Sequence, residues 1–436
     1  DPESGHITYR QPRGSSTQGS RAGCYDGNKG YRRIRVKDYY IPVFDIPLYS
    51  NCSVLNVVEL ATIFHFPNKD VQTPGIVWLG ARRASAPTNL PATDLDTKDG
   101  IWLGESVFRG IKKQIYIKNE DLVRHMYIIG QTGTGKSVFL KNLIIQDIKN
   151  GDGCCYIDPH GEALIDILAN IPKERAEDVI YFDPGYMARP MGLNMLEYDR
   201  DFPEQKTFVI NEMIGIFNKL FDMKPTGGPG FEQYFRNAAQ LVMEHPESGN
   251  TLIDVGRVFS DKDFRDYKLS KCKNPLLIQF WQNAEKTKGE QGLENWTQYV
   301  TSKFDNFTNN DIMRPIVSQE KSAFNMREIM DNKKIFLVNL SKGRLGDINS
   351  SLLGLILVGK ISQAAMSRTD SKERSDFYLY IDEFHNVTTP AIATILSEAR
   401  KYRLSLNMAH QYIGQLTDEI KGAVFGNVGN MIVYRI

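Results

Sequence analysis

The sequence predicts an α/β fold built on a mainly parallel, twisted sheet, because strand-like and helix-like segments alternate along two parts of the chain. Residues 126–129 form an apolar run, a glycine-rich turn follows, and residues 138–149 have the periodicity of an amphipathic helix. Further strand-like runs, several of them followed by helical patterns, occur at 154–157, 178–182, 334–340, 377–381 and 404–409. This alternation is typical of parallel sheets, whose ligands bind at the carboxyl ends of the strands.

The turn after the first of these strands has the composition of a phosphate-binding loop. Glycines at 130, 133 and 135 allow successive backbone N–H groups to point at one anion, and the following helix adds the positive end of its dipole. Lys136 would reach the β- and γ-phosphates of ATP, and Ser137 would bind Mg²⁺. The predicted nucleotide contacts are Gly130, Thr132, Gly133, Thr134, Gly135, Lys136, Ser137 and Val138. The alternative, a glycine-rich turn that binds nothing, is disfavoured by the full eight-residue match between a strand and a helix.

A pair of acidic residues completes the predicted site. Residues 377–381 form an apolar strand that ends in Asp382 and Glu383. In nucleotide hydrolases with such a loop, one acid holds the Mg²⁺ shell through water and another polarises the attacking water. We assign Asp382 to the first role and Glu383 to the second. Two acids at the start of a helix are also explained by the helix dipole alone.

Two other polar segments follow strands in the same way. Gln411, after the strand at 404–409, is the candidate for sensing the γ-phosphate. Asp158 and His160 follow the strand at 154–157, where proximity to the phosphates and simple turn chemistry are equally good interpretations. A basic group at 400–403 lies at the end of a predicted helix, before the strand at 404–409, and a basic helix end is normal complementation of the helix dipole.

Composition restricts the class of protein. The chain has 436 residues, of which 41% are hydrophobic, and a net charge of +1, so composition gives no reason to expect nucleic acid as a ligand. The cysteines, at 24, 52, 154, 155 and 272, show no zinc spacing, which favours a reducing, cytoplasmic setting. The longest apolar run, 352–358, is far shorter than the roughly 20 residues of a membrane-spanning helix, so no span is expected.

Changes of pattern divide the chain into four predicted regions. Residues 1–35 are polar and predict a flexible arm, and 36–120, with a strand at 76–79, another at 114–117 and a helix at 57–64, predict a small β-rich lead-in. The ATPase core comprises 121–198 and 331–436. The remaining region, 199–330, predicts a helical insertion with helices at 208–221, 231–243, 276–285 and 296–307, and with Trp281, Trp296 and Phe307 in its core.

Over residues 100–436 these motifs resemble the HerA/FtsK superfamily of ring-shaped motor ATPases, and most closely the conjugative, type IV secretion DNA-transfer ATPases and coupling proteins. The motifs are Gly-Gln-Thr-Gly-Thr-Gly-Lys-Ser, Ile-Asp-Pro-His-Gly-Glu, Tyr-Ile-Asp-Glu-Phe-His-Asn, Ala-Arg-Lys-Tyr-Arg and Met-Ala-His-Gln. The resemblance implies a RecA-like P-loop core, self-association into a hexamer, ATP hydrolysis between subunits and DNA moving through a central pore. It also implies an arginine finger at Arg400, acting on the neighbouring subunit's ATP, with Arg403 as the competing candidate.

The family comparison also predicts partners and location. Secretion-channel or relaxosome proteins are expected to bind. Coupling proteins usually have an N-terminal membrane anchor and we expect none within this sequence, so a cytoplasmic location at the inner face of the membrane would need a missing segment or a partner. The sequence ends within a strand, at 431–436, where the family continues, so the last core element is expected to be missing.

Three functions compete. The first is an ATP-driven DNA translocase of the conjugative type. The second is a secretion-apparatus ATPase that energises pilus or protein export without DNA as cargo. The third is an ATP-gated assembly or regulatory protein with slow turnover, against which Glu383 argues because such a protein needs no base to activate water.

Overall fold

The computed structural model describes residues 85–87, 100–223, 228–287, 289, 292–371, 373–389 and 391–435, and two short strands nearer the N-terminus. The chain divides into two compact units, Asp1–Ala84 and Ser85–Ile436. Within the first unit, β1 (Tyr25–Asp26) and β2 (Gly30–Tyr31) form a short antiparallel ladder. The rest of the predicted polar arm, the strand predicted at 76–79 and the helix predicted at 57–64 lie outside the described residues.

The second unit begins with an antiparallel hairpin of β3 (Gly100–Phe108) and β4 (Ile111–Lys118). Arg109 and Gly110 connect the strands with φ angles of 51° and 81°, the backbone that a two-residue turn needs to match the twist of a hairpin. The strand predicted at 114–117 lies inside β4.

Seven parallel strands form the central sheet. They are β5 (Met126–Ile129), β6 (Gly153–Asp158), β7 (Val179–Phe182), β8 (Ile335–Asn339), β9 (Phe377–Ile381), β10 (Leu404–His410) and β11 (Asn430–Val433). Their order across the sheet is β11-β5-β10-β9-β6-β8-β7, and every described pair is parallel. The predicted α/β fold with a parallel sheet is therefore confirmed. This order places strands that are far apart in sequence side by side.

The helices, in chain order, cover both faces of this sheet. They are α1 (Asn119–Leu122), α2 (Lys136–Asn150), α3 (Glu162–Ala169), α4 (Gln205–Phe221), α5 (Gly228–Glu244), α6 (Leu252–Ser260), α7 (Lys262–Lys271), α8 (Pro275–Lys286), α9 (Leu293–Thr301), α10 (Asp305–Thr308), α11 (Arg314–Val317), α12 (Met326–Asp331), α13 (Lys342–Leu345), α14 (Asp347–Met366), α15 (Ala391–Glu398) and α16 (Asp418–Asn427).

One face of the sheet packs against α2, α3 and the hairpin. Because side chains alternate along a strand, Met126 and Ile128 of β5 lie on this face, together with Leu140 and Ile144 of α2. Gln146 of α2 fixes the hairpin, since its Oε1 accepts from the backbone N–H of Trp102 and its Nε2 donates to the Trp102 carbonyl, at 2.9 and 3.0 Å.

The opposite face packs against the helices of 205–330 and α14. Tyr127 and Ile129, the alternate residues of β5, share one core with apolar residues of α4, α5 and α14. Trp281 and Phe307 are fully buried in it and Trp296 packs at its margin, as predicted. Helix α14 is long and apolar enough to span a membrane by length and composition, but most of it is buried inside the protein, as in the core helix of a soluble domain.

The predicted helices of this region need two corrections. Helices α6 and α7 were not predicted; the capping box in which Thr251 and Asp254 bond each other's backbone was the available signal. The single helix predicted at 296–307 is two helices, because backbone bonds shorten to three-residue separations at Lys303 and Phe304. This tighter winding places Phe304 and Phe307 on one buried side.

Candidate nucleotide site

Three sheet strands bring the predicted site residues to one edge. β10 lies between β5 and β9, with His410 opposite Ile129 and Met408 opposite Ile381. The loop that follows β5 and the acids that follow β9 therefore leave the sheet at the same end, as the carboxyl ends of parallel strands must.

The loop between β5 and α2 has the conformation of an anion cradle. Gly133 and Gly135 adopt φ angles of 78° and 101°, which side-chain-bearing residues rarely adopt, and Thr134 Oγ1 donates to the Gln131 carbonyl at 2.7 Å. Within the described part of the chain, the backbone N–H groups of Gly133, Gly135, Lys136 and Ser137 donate to no acceptor. These donors, at the N-terminus of α2, are available to a phosphate.

Lys136 is held against the loop. Its side chain is buried, and its Nζ donates to the carbonyls of Gly130 at 2.7 Å and Gln131 at 3.1 Å. A bound β- or γ-phosphate would offer this ammonium a charged acceptor in place of two neutral carbonyls. A hydrogen bond to a charged acceptor is stronger than one to a neutral carbonyl.

Ser137 and Asp382 join the two halves of the site. Ser137 Oγ donates to Asp382 Oδ2 at 2.7 Å across 245 residues of sequence. Asp382 is buried, and burial raises the pKa of its carboxyl above the ordinary value. One hydroxyl and one carboxylate suit Mg²⁺, which usually takes one or two protein oxygens and completes its octahedron with phosphate and water. These two residues would hold the ion beside the phosphates.

Glu383 and Gln411 are also in contact. Gln411 Nε2 donates to Glu383 Oε1 at 3.0 Å. Glu383 has a φ of 49°, a left-handed conformation that costs about 1–3 kcal/mol in a residue other than glycine. That backbone turns the carboxylate of Glu383 toward Gln411 directly after the strand, while the adjacent Asp382 faces Ser137.

The remaining predicted loop contacts, Thr132 and Val138, are exposed. Gly130 packs closely on Tyr434, such that a Cβ at residue 130 would lie 2.4 Å from the Tyr434 Cβ. The Arg435 carbonyl accepts from the Gln131 N–H at 2.9 Å. The segment after β11 therefore supports one side of the loop.

Asp158 and His160 contact each other within the turn that follows β6. Asp158 Oδ1 accepts from the His160 N–H at 2.8 Å, and the His160 side chain is exposed. Asp158 also ends β6, next to β9, and its charge, like that of Glu383, adds to the effect of burial in raising the pKa of Asp382.

The structure separates the two candidate arginines. Arg403 has a φ of 59° and pairs with Asp376 at 3.3 Å. Arg400 is exposed and makes no side-chain hydrogen bond or ion pair with another described residue. Both precede β10, so they lie at the amino edge of the sheet, opposite the phosphate loop.

Four polar residues near Glu383 were not assigned from the sequence. They are Tyr127, His385, His410 and Gln415, and they form a connected series of polar contacts. The run Asp-Glu-Phe-His, which places His385 one turn after Asp382, was the only local signal for any of them.

The comparisons with known proteins agree with this geometry. The family model described as the central domain of helicase HerA matches residues 102–194, which include most of the hairpin, the phosphate loop and β6. No curated protein sequence matches the chain.

Solved structures with a similar fold include the bacterial conjugative coupling protein TrwBdeltaN70 in its unbound form, at 17% identity over 72% of this chain and 69% of that chain, with a TM-score of 0.52. The coupling protein TrwB in complex with ADP and Mg²⁺ is 18% identical over 71% and 69%, with a TM-score of 0.50. VirB4 of Thermoanaerobacter pseudethanolicus is 16% identical over 77% and 84%, with a TM-score of 0.50. The RecA-like fold and the resemblance to HerA-type ATPases are therefore confirmed.

Proposed function

We propose that this chain hydrolyses ATP with Mg²⁺ and uses the energy to translocate DNA as a hexameric ring, as in conjugation or type IV secretion. The observation that carries the ATPase part is the bond between Ser137 and Asp382, because it joins the phosphate loop to the acidic strand end in one metal-binding pair. The fold shared with a coupling protein that binds ADP and Mg²⁺ supports the same nucleotide and ion here.

Each predicted residue then has a role. The loop amides and Lys136 bind the phosphates, Ser137 and Asp382 hold Mg²⁺, and Glu383 accepts a proton from the attacking water. Gln411 contacts Glu383 directly, so a γ-phosphate that binds Gln411 would also affect Glu383, the proposed general base.

DNA as cargo is supported by the fold shared with a conjugative coupling protein. A net charge of +1 is compatible with this cargo, because a ring needs basic residues only where its pore contacts phosphates. A cytoplasmic location, with secretion-channel or relaxosome proteins as partners at the inner face of the membrane, belongs to the same proposal.

ATP hydrolysis measured against protein concentration, with and without single- and double-stranded DNA, tests this function. We expect specific activity to rise with concentration, since the site needs a neighbouring subunit, and DNA to stimulate it. Stimulation should fall at least about tenfold between about 50 and 200 mM salt. Turnover without stimulation at low salt would favour the secretion ATPase that does not move DNA, and negligible turnover would favour the regulatory protein.

Replacing Lys136 by alanine is expected to weaken ATP binding about 10- to 150-fold, because a hydrogen bond to a charged group contributes about 1.5–3 kcal/mol. Titration with a fluorescent ATP analogue measures the loss. Lys141→Ala is the matched control, since Lys141 lies on the same helix but pairs with Asp166 on the surface. Equal affinities of the Lys136→Ala and Lys141→Ala variants would contradict the phosphate-binding role.

A further inference from the structure

A series of four polar side chains connects the phosphate-loop strand to Glu383. Tyr127 OH lies 2.7 Å from His410 Nε2, and His410 Nδ1 lies 3.1 Å from Gln415 Oε1. Gln415 Nε2 lies 3.3 Å from His385 Nε2, and His385 Nδ1 lies 3.4 Å from Glu383 Oε2. The direction of hydrogen bonding along this series follows from the chemistry of each group.

The Gln415 amide has one possible orientation. Its Oε1 accepts from the backbone N–H groups of Gln411 and Tyr412, both at 3.2 Å. Backbone N–H groups only donate, so the atom that they share must be the amide oxygen. The NH₂ group of Gln415 therefore faces His385.

This orientation fixes the tautomers of both histidines. His410 must carry its proton on Nδ1 to donate to Gln415 Oε1, and its Nε2 accepts from Tyr127. His385 Nε2 must accept from the Gln415 NH₂, so the proton of its neutral ring is on Nδ1. Nδ1 lies 3.4 Å from Glu383 Oε2, an atom that only accepts when Glu383 is ionised, but the two atoms form no hydrogen bond in this structure.

The contact between His385 and Glu383 has no competitor. Both His385 Nδ1 and Glu383 Oε2 are buried and neither has a hydrogen bond to another described residue. A small rotation of the ring or the carboxylate that aligns the Nδ1–H with Oε2 would satisfy both atoms, whereas leaving both unpaired in a buried site is costly. Glu383 would then be held at both oxygens, by Gln411 and by His385.

The surroundings of His385 keep its ring neutral. Burial lowers the pKa of His385, and the nearby cations Lys219 and Lys342 act in the same direction while Glu383 opposes it. Lys219 Nζ donates to the His385 carbonyl at 2.9 Å, and Lys342 Nζ donates to the neighbouring Asn386 at 3.1 Å. A neutral His385 ring has one proton. With Nε2 accepting from Gln415, that proton must be on Nδ1, the nitrogen nearest Glu383.

We propose that His385 is a positioning residue for hydrolysis, which holds the Glu383 carboxylate through an Nδ1–H hydrogen bond and is itself oriented by Gln415. The inference rests on the proposed ATPase function. It assigns His385 no contact with ATP, so the residue acts on turnover through Glu383 alone.

Three substitutions separate this role from a structural one. His385→Asn keeps an N–H near the position of Nδ1, His385→Gln places its amide near the position of Nε2, and His385→Ala removes both. We expect kcat to fall about 10- to 100-fold in His385→Ala and His385→Gln, with KM for ATP changed less than about twofold, and His385→Asn to retain most of the rate. Equal losses in all three, or a change confined to KM, would overturn the proposal.

The tautomer of His385 provides a readout that needs no hydrolysis. Nitrogen-15 NMR of protein labelled at its 7 histidines, with His385 assigned by its loss in His385→Asn, distinguishes Nδ1–H from Nε2–H. We expect Nδ1–H at neutral pH, and Nε2–H would overturn the inference. A wild-type chain that shows Nδ1–H but hydrolyses no ATP would refute the proposed function while leaving the hydrogen-bond assignment intact.

Discussion

Replacing Glu383 by glutamine is expected to lower ATP turnover about 10²- to 10⁴-fold, the range that a general base contributes, while ATP stays bound. Glutamine has the size and shape of glutamate, and its carbonyl oxygen can still accept from Gln411, which lies 3.0 Å from Glu383 Oε1. The substitution therefore removes the proton acceptor and preserves the local geometry. Single-turnover hydrolysis and equilibrium binding of ATP, measured on the same preparation, provide the two quantities.

Glu419→Gln is the matched control for this experiment. Glu419 is an exposed acid in the first turn of α16, so it undergoes the same charge change outside the site. We expect its turnover to equal that of the wild-type chain. Unchanged turnover in Glu383→Gln would mean that another group activates the water, and loss of ATP binding would indicate that Glu383 has a structural role in the site.

Replacing Arg400 by alanine is expected to lower turnover about 10³-fold or more, as the loss of an arginine finger does, without weakening ATP binding to the same chain. Arg400 lies before β10, whereas the phosphate loop lies beyond its carboxyl end. The 7 residues of β10 span about 20 Å at about 3.3 Å per residue. Arg400 is therefore too far from the loop of its own chain, and we propose that it acts on a neighbour's nucleotide.

Mixing the Arg400→Ala chain with a Lys136→Ala chain tests this trans role. In a ring assembled from equal amounts, about a quarter of the interfaces pair an intact phosphate loop with an intact arginine, so part of the activity should return. Arg403→Ala is the matched control, because Arg403 is already paired with Asp376, and its chain should retain turnover by itself. An inactive mixture, or loss of activity in Arg403→Ala rather than Arg400→Ala, would contradict the assignment.

The positions of the elements nearest the site followed from local patterns. The apolar run before Gly130 and the helical period after Ser137 correspond to β5 and α2, and the run before Asp382 corresponds to β9. These predictions succeeded because a fully buried parallel strand is apolar throughout and a glycine-rich loop has a nearly unique composition. Helix α7 was missed because its many charged residues interrupt its apolar positions.

The sequence by itself determined the fold class, the phosphate loop and the residue types of the acidic pair, since each depends on chemistry within a few neighbouring positions. Only the tertiary structure decided that Ser137 bonds Asp382, that Gln415 contacts His385, and that Arg403 is paired while Arg400 is exposed. Those contacts depend on the strand order, which brings together segments up to hundreds of residues apart. Strand order is set by packing of the whole sheet, so no local spacing in the sequence specifies it.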